Sequence, residues 1–332
     1  MEENFIEPKY PAGLYTKRPN SSALLSPLND FTFKAIFTQE TKDSNFALKC
    51  FISAALGREI LHVTLKSNEP PAETKKQKKM TFDVSVQFDD GELADIELQT
   101  RSQDYDFGMR AEIQAARLLT NNAKKGKTWK SKKVYQISVL NFQYKNNDNK
   151  ELRWYTMTDD SGEKLDEKLN VVFIDLVAIR DHYRKFGFKN LTSIEKWGLF
   201  FSYVDHEEKK DLVNRIVKTE KGIMAAKEIV KYMSKADSNW LTQNSIWVAE
   251  RDYNTRKQIA MDKARKEGLE LGLAEGREKG IAKGLEKGIA KGLQQKTIEA
   301  AKNLYNNDIS IELIANSLNI TVEEVKKIVK KK

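Results

Sequence analysis

At 332 residues the chain is long enough for about two ordinary domains, and its 40% hydrophobic content supports a real core. An excess of Lys and Arg (57) over Asp and Glu (48) gives a formal charge of +9, which favours an anionic partner without choosing between nucleic acid and a membrane surface. One cysteine excludes an internal disulfide framework, and three scattered histidines (His62, His182, His206) lack Cys or His neighbours at metal spacing, which argues against zinc sites and His-based triads.

Residues 1–22 read as an irregular leader broken by Pro8 and Pro11, unlike a signal peptide. With no apolar run of about 18 residues, the expectation is a soluble, cytoplasmic protein. Ser26-Pro27 predicts a helix start with Pro27 at its first position, and Phe33, Ile36 and Phe37 give that helix an apolar face. A second helix is predicted over 44–56, closed by Gly57, with Cys50 a small buried hydrophobe on it. HVTLKS (62–67) reads as a strand and is followed by a lysine-bearing loop with Lys75, Lys76, Lys78 and Lys79. A helix capped by Asp106, a basic run over 124–133, and strands VYQISVLNF, LRWYTMT and LNVVFIDLVAI complete a unit over 23–180. The alternation implies an α/β (α+β) fold, a mixed sheet flanked by helices.

The remainder is helical. Residues 193–267 carry aromatics spaced as a packing face, and from Gly268 to Gly292 a glycine recurs every four residues. Two readings of that repeat (268–296) stand: a weakly helical linker, because each glycine costs a helix about 1 kcal/mol relative to Ala, or close helix packing in a homo-oligomer. Residues 297–332 have the spacing of a small helix-turn-helix, with Thr321 and Glu324 as a capping box. A DNA-reading module and a helical dimerisation cap both fit it.

The segment FDVSVQFDDGELADIELQ (82–99) is a hairpin with acids inside its strands. Taking Asp89-Asp90-Gly91 as the loop, with Gly91 left-handed, pairs Phe82 with Leu98, Val84 with Ile96 and Val86 with Ala94 on an apolar side. The same register sets Asp83 across from Glu97, with Gln99 two residues along. Directly opposed Cβ atoms lie about 4.5–5.5 Å apart, and two carboxylates that close repel unless a cation intervenes. Oxygen ligands favour Mg²⁺ or Mn²⁺. A solvent-facing strand side decorated with polar groups, such as Asp95 and Gln87, is the competing interpretation.

Asp83 followed after a turn by Glu97-Leu98-Gln99 resembles the active site of PD-(D/E)XK nucleases in the variant where Gln replaces Lys. With Leu28-Asn29-Asp30-Phe31-Thr32-Phe33-Lys34-Ala35-Ile36-Phe37, Phe107-Gly108-Met109-Arg110 and Trp197, the chain resembles the Rpn family of recombination-promoting nucleases and related transposase-like proteins over most of its length. The resemblance implies a restriction-endonuclease-like fold and a metal-dependent DNA endonuclease. Asp83, Glu97 and the Leu98 carbonyl would hold Mg²⁺ (Mn²⁺ or Ca²⁺ as substitutes), and Gln99 would orient water or a phosphate oxygen. It also implies a supporting acid at Asp30, for which a simple i,i+4 ion pair with Lys34 is the rival reading. On the helix after Gln99, Arg110, Gln114 and Arg117 share a face, and Arg110 is the candidate for the scissile phosphate. The basic runs would bracket the site and attract DNA. A catalytically weak DNA-binding protein and an RNA-directed enzyme are the alternatives.

Overall fold

The computed structural model describes residues 15–67, 82–89, 91–101, 107–122, 130–144 and 150–330. They form two compact units, residues 1–251 and 252–332. Among the described residues no helix is long and apolar enough to cross a membrane.

The first unit opens with helices α1 (Asp30–Thr38) and α2 (Lys42–Leu56). The first starts three residues later than Ser26-Pro27 suggests. Asn29, not Ser26, is the N-cap, its side chain accepting from the Phe31 N–H, while the Ser26 N–H is taken by Gln243 Oε1 at 2.8 Å. Gly57 does close α2, at φ 65° with its N–H on the Ser53 carbonyl.

Six strands follow: β1 (Val63–Leu65), β2 (Val84–Phe88), β3 (Glu92–Gln99), β4 (Val134–Leu140), β5 (Leu152–Thr156) and β6 (Leu169–Asp175), with α3 (Phe107–Asn122) between β3 and β4. The sheet order is β1-β2-β3-β4-β6-β5. β1, β2 and β3 are antiparallel, β3, β4 and β6 run parallel, and β5 returns antiparallel on β6. This is the mixed sheet expected. The segment 169–179 is not one strand, however. Asp175 accepts from the N–H groups of Val177 and Ala178, which ends β6 and starts α4 (Leu176–Phe186).

Helices α5 (Ser193–Tyr203), α6 (Lys210–Thr219), α7 (Lys221–Met233) and α8 (Asp237–Asn306) follow, and the unit boundary falls within α8. The main core lies on one sheet face, under α1, α2, α5 and α7. There Phe33, Phe37, Phe51, Trp197 and Phe201 pack edge-on and tilted with centroids 5.2–6.3 Å apart. The opposite face is covered by α3 through Phe107, Ala111, Ala115 and Leu118. Asp106 and Lys75 to Lys79 lie outside the described residues, as do Lys124, Lys125 and Lys127 of the basic run.

In the second unit, α9 (Ile311–Leu318) and α10 (Val322–Lys330) bury Ile314, Ala315 and Val325 with Ala301. The Thr321–Glu324 capping box forms in both directions. Gly268 to Gly292 are helical, within α8, and a Cβ built at any of the seven meets nothing within 4 Å.

Gly222 is the opposite case. A Cβ there would lie 2.3 Å from Cys50 Cβ, where α2 crosses α7. Gly222→Ala therefore forces the helices apart, and thermal melting should show a loss of about 1–3 kcal/mol. Gly280→Ala meets no neighbour, and hydrogen exchange along α8 should slow locally by up to about 1 kcal/mol of helix stability.

Candidate active site

The hairpin register is as the apolar pattern requires: Val84 pairs with Ile96, Val86 with Ala94 and Phe88 with Glu92. Gly91 takes φ 91°, and its N–H reaches the Phe88 carbonyl at 3.1 Å. The β2–β3 ladder stops one pair short of Asp83 and Glu97. A bend at Asp83 turns Phe82 away from Leu98, and Phe82 packs instead with Leu118 and Val134 under α3. The Phe82–Leu98 pair is thus corrected: one residue of bend changes which face the side chain meets. Leu98 remains on the main-core side, so only its backbone is available to the acidic face.

That acidic face is not solvent-exposed. Asp95 is 0% and Glu97 2% exposed, beneath α3, beside the buried side chains of Ser85, Gln136, Ser138 and Gln114. Asp95 as surface decoration is therefore corrected. Strand alternation sends Leu93, Asp95, Glu97 and Gln99 to one side, and α3 roofs that side. Met109 and Ile113, by contrast, face solvent on α3.

Two clusters result. In the first, Lys34 Nζ sits 2.7 Å from Asp30 Oδ2 and 2.9 Å from Asp83 Oδ1. The i,i+4 pair is present, and the same ammonium also holds the hairpin acid. In the second, Glu97 Oε1 accepts from Gln99 Nε2 at 2.5 Å and from Arg110, and the nearby Gln114 amide helps to hold the carboxyl down. Each cluster lies within the other's field: Asp83 raises Glu97, and Arg110 lowers Asp83.

Burial is the largest influence on both acids and pushes both carboxyls above their ordinary values, with Asp30's charge adding to Asp83 and Arg110 only partly offsetting Glu97. Asp95 is pushed well up by complete burial and by Glu97. Burial opposes the charge on Lys34, but Asp30 and Asp83 outweigh it and raise the ammonium's pKa.

Glu97 Oε2, both Asp95 oxygens and Gln114 Oε1 are buried acceptors that complete no hydrogen bond. Acceptor oxygens without donors, beside an ionisable pair, are the donor set a hard divalent cation takes. Through Oε2, Glu97 therefore fits such an ion chemically. Lys34, Gln114 and Asp95 were not selected from the sequence as site residues. The first is readable only as an i,i+4 partner, and the burial of the other two depends on where α3 settles.

Among the described residues, one group of three potential ligands has its atoms within 4.8 Å of one another: Glu151, His182 and Glu195. It lies at the β5 edge of the sheet, away from the hairpin.

No curated protein and no solved structure matches the chain. A family model does, that of the PD-(D/E)XK nuclease family transposases, and it covers residues 27–260. The matched span contains α1, the acidic hairpin, α3 and the helices that build the aromatic core. With the mixed sheet and its buried acids, this establishes that the chain belongs to the PD-(D/E)XK nuclease family transposases.

Proposed function

We propose that the chain is a Mg²⁺-dependent DNA endonuclease whose cuts promote recombination. The observation that carries this reading is the Glu97 carboxylate: buried, fixed through Oε1, without a hydrogen bond at Oε2, and within the field of Asp83. Asp83 and Glu97 would hold the cation with the Leu98 carbonyl. When bound, the cation lowers the pKa of a water and neutralises charge on the phosphoryl transition state.

The chain's own groups do the rest. Gln99 and Arg110 fix the Glu97 carboxylate through one oxygen. Gln99 orients water or a phosphate oxygen through its amide but brings no charge. Lys34, reaching in from α1, supplies the positive charge at Asp83 that Gln99 lacks. Arg110, about one-third exposed, would meet a phosphate. The net charge of +9 favours the DNA backbone, giving affinity and salt dependence without sequence choice. A second reading, a DNA-binding or transposase-associated protein with little chemistry, draws on the same contacts: side-chain cations already neutralise both carboxylates.

Plasmid nicking decides between them. Wild type should nick supercoiled DNA with Mg²⁺ or Mn²⁺ and not with chelator, while Asp83→Ala and Glu97→Ala fall to background, at least about 10²-fold down. Lys34→Met should lose activity while retaining cation binding. Wild-type cleavage no greater than that of the two alanine variants selects the non-catalytic reading, and a preference for RNA over duplex DNA would reassign the substrate.

The raised carboxyls give a pH signature. Below its raised pKa Glu97 holds a proton that the unfolded chain has released, so its ionisation costs stability as pH rises through that value. In metal-free protein, Glu97→Gln should melt above wild type at neutral pH, and the gap should close as pH falls through the raised range. Cation binding should follow the same groups in reverse, lost on acidification at a pH above the ordinary carboxylate value of about 4.

A further inference from the structure

The histidines offer no ligand spacing in sequence, yet the fold brings His182 to two acids from other elements. His182 is on α4, Glu195 in the first turn of α5, and Glu151 immediately before β5. His182 Nδ1 lies 3.1 Å from Glu151 Oε1 and also contacts Glu195 Oε1. Glu195 is 2% exposed. Its Oε2 is committed to the α5 capping box, accepting from the Thr192 N–H at 2.7 Å and the Thr192 hydroxyl at 2.6 Å. Its Oε1 is buried, aimed at the cluster and without a hydrogen bond, and His182 Nδ1 completes none either.

A protonated imidazole satisfies this arrangement poorly, because one Nδ1–H can serve only one of the two oxygens that converge on it. A metal ion accepts all three lone pairs at once. Ligands about 2.0–2.2 Å from a tetrahedral zinc stand roughly 3.3–3.5 Å apart, close to the Glu151–His182 spacing, and the three ligand atoms all lie within 4.8 Å of one another. One imidazole nitrogen with two carboxylate oxygens suits a first-row divalent transition metal better than Mg²⁺, which prefers oxygen alone. The Glu151 and His182 side chains are 31% and 22% exposed, which leaves an entry path and room for a water as fourth ligand.

We propose that Glu151, His182 and Glu195 form a Zn²⁺-class site that ties the β5 edge of the sheet to α4 and α5. It stands at the β5 edge of the sheet, with β6 and β4 between it and the strand of Glu97, and does not depend on the chemistry of the hairpin acids.

The test uses the full chain with Asp83→Ala and Glu97→Gln, which removes both hairpin carboxylates, and Zn²⁺ titrated by calorimetry and thermal melting. One Zn²⁺ per chain should bind, and saturation at about a hundred times Kd should raise Tm by roughly 5 °C. Adding His182→Ala or Glu151→Gln should weaken Zn²⁺ at least about tenfold. With Co²⁺ as probe, visible absorption should appear in the parent and vanish in both variants. Should His182→Ala fail to fold, the partly exposed Glu151→Gln decides alone. Unchanged Zn²⁺ affinity in Glu151→Gln, or a parent chain that binds no Zn²⁺, overturns the proposal.

Discussion

Glu97 leaves β3 under the roof of α3 with its side chain 3% exposed, and an unpaired charge in that setting would cost several kcal/mol. The surrounding architecture supplies the compensation. Arg110, from the first turns of α3, and Gln99, two residues along the strand, both donate to one oxygen of the carboxylate. The roof helix is therefore held twice, by Phe107, Ala111, Ala115 and Leu118 in apolar contact and by Arg110 in charge. Removing the arginine would strand a buried carboxylate, so the electrostatics of the site and the docking of α3 are one problem.

The other half of the site depends on aromatic packing some distance from it. Phe33 and Phe37 anchor α1 into the cluster with Phe51, Trp197 and Phe201, on the far side of the sheet from α3. With that face of α1 fixed, helical spacing presents Asp30 and Lys34 together on another. Lys34 then meets Asp83 where the end of the hairpin bends out of its ladder. The segment Asp30 to Phe37 thus serves two ends: its aromatics set the helix, and its charges reach the hairpin. An acid from the sheet and a base from α1 meet only because the intervening core is rigid.

Much of this was legible in the sequence, and the failures have physical causes. Alternation of apolar residues specified the β2–β3 register, and Gly57, Thr321 and Glu324 marked helix ends by local chemistry alone. Local chemistry also misled: Pro27 is an acceptable helix start, but the Ser26 N–H donates to the Gln243 side chain, and the chain stays in a turn until Asn29 can cap. The apolar run 169–179 hides a strand-to-helix change, because Asp175 breaks it with only one polar residue. Phe82 obeys the period of the strand on paper and leaves it at the Asp83 bend. The burial of Asp95 and Gln114 was not readable at all, since it depends on where α3 lands across the sheet.

Charge bookkeeping at the site narrows how it can work. Among the described residues, Asp30, Asp83 and Glu97 face two cations, Lys34 and Arg110, and complete burial keeps Asp95 strongly inclined to hold a proton. The metal-free site is therefore nearly neutral and tolerable inside the fold. On the proposed function a divalent ion at Asp83 and Glu97 would make it net positive, and like-charge repulsion would weaken the hold of Lys34 and Arg110 on those acids. Both side chains are about one-third exposed, so an incoming phosphate would meet them from solvent. The groups that make the acids bearable without metal are then the ones that meet the substrate when metal is present. On that proposal, a family member with glutamine at the usual lysine position would still assemble a positively charged site, with cations from the flanking helices, α1 and α3, and not from the strand.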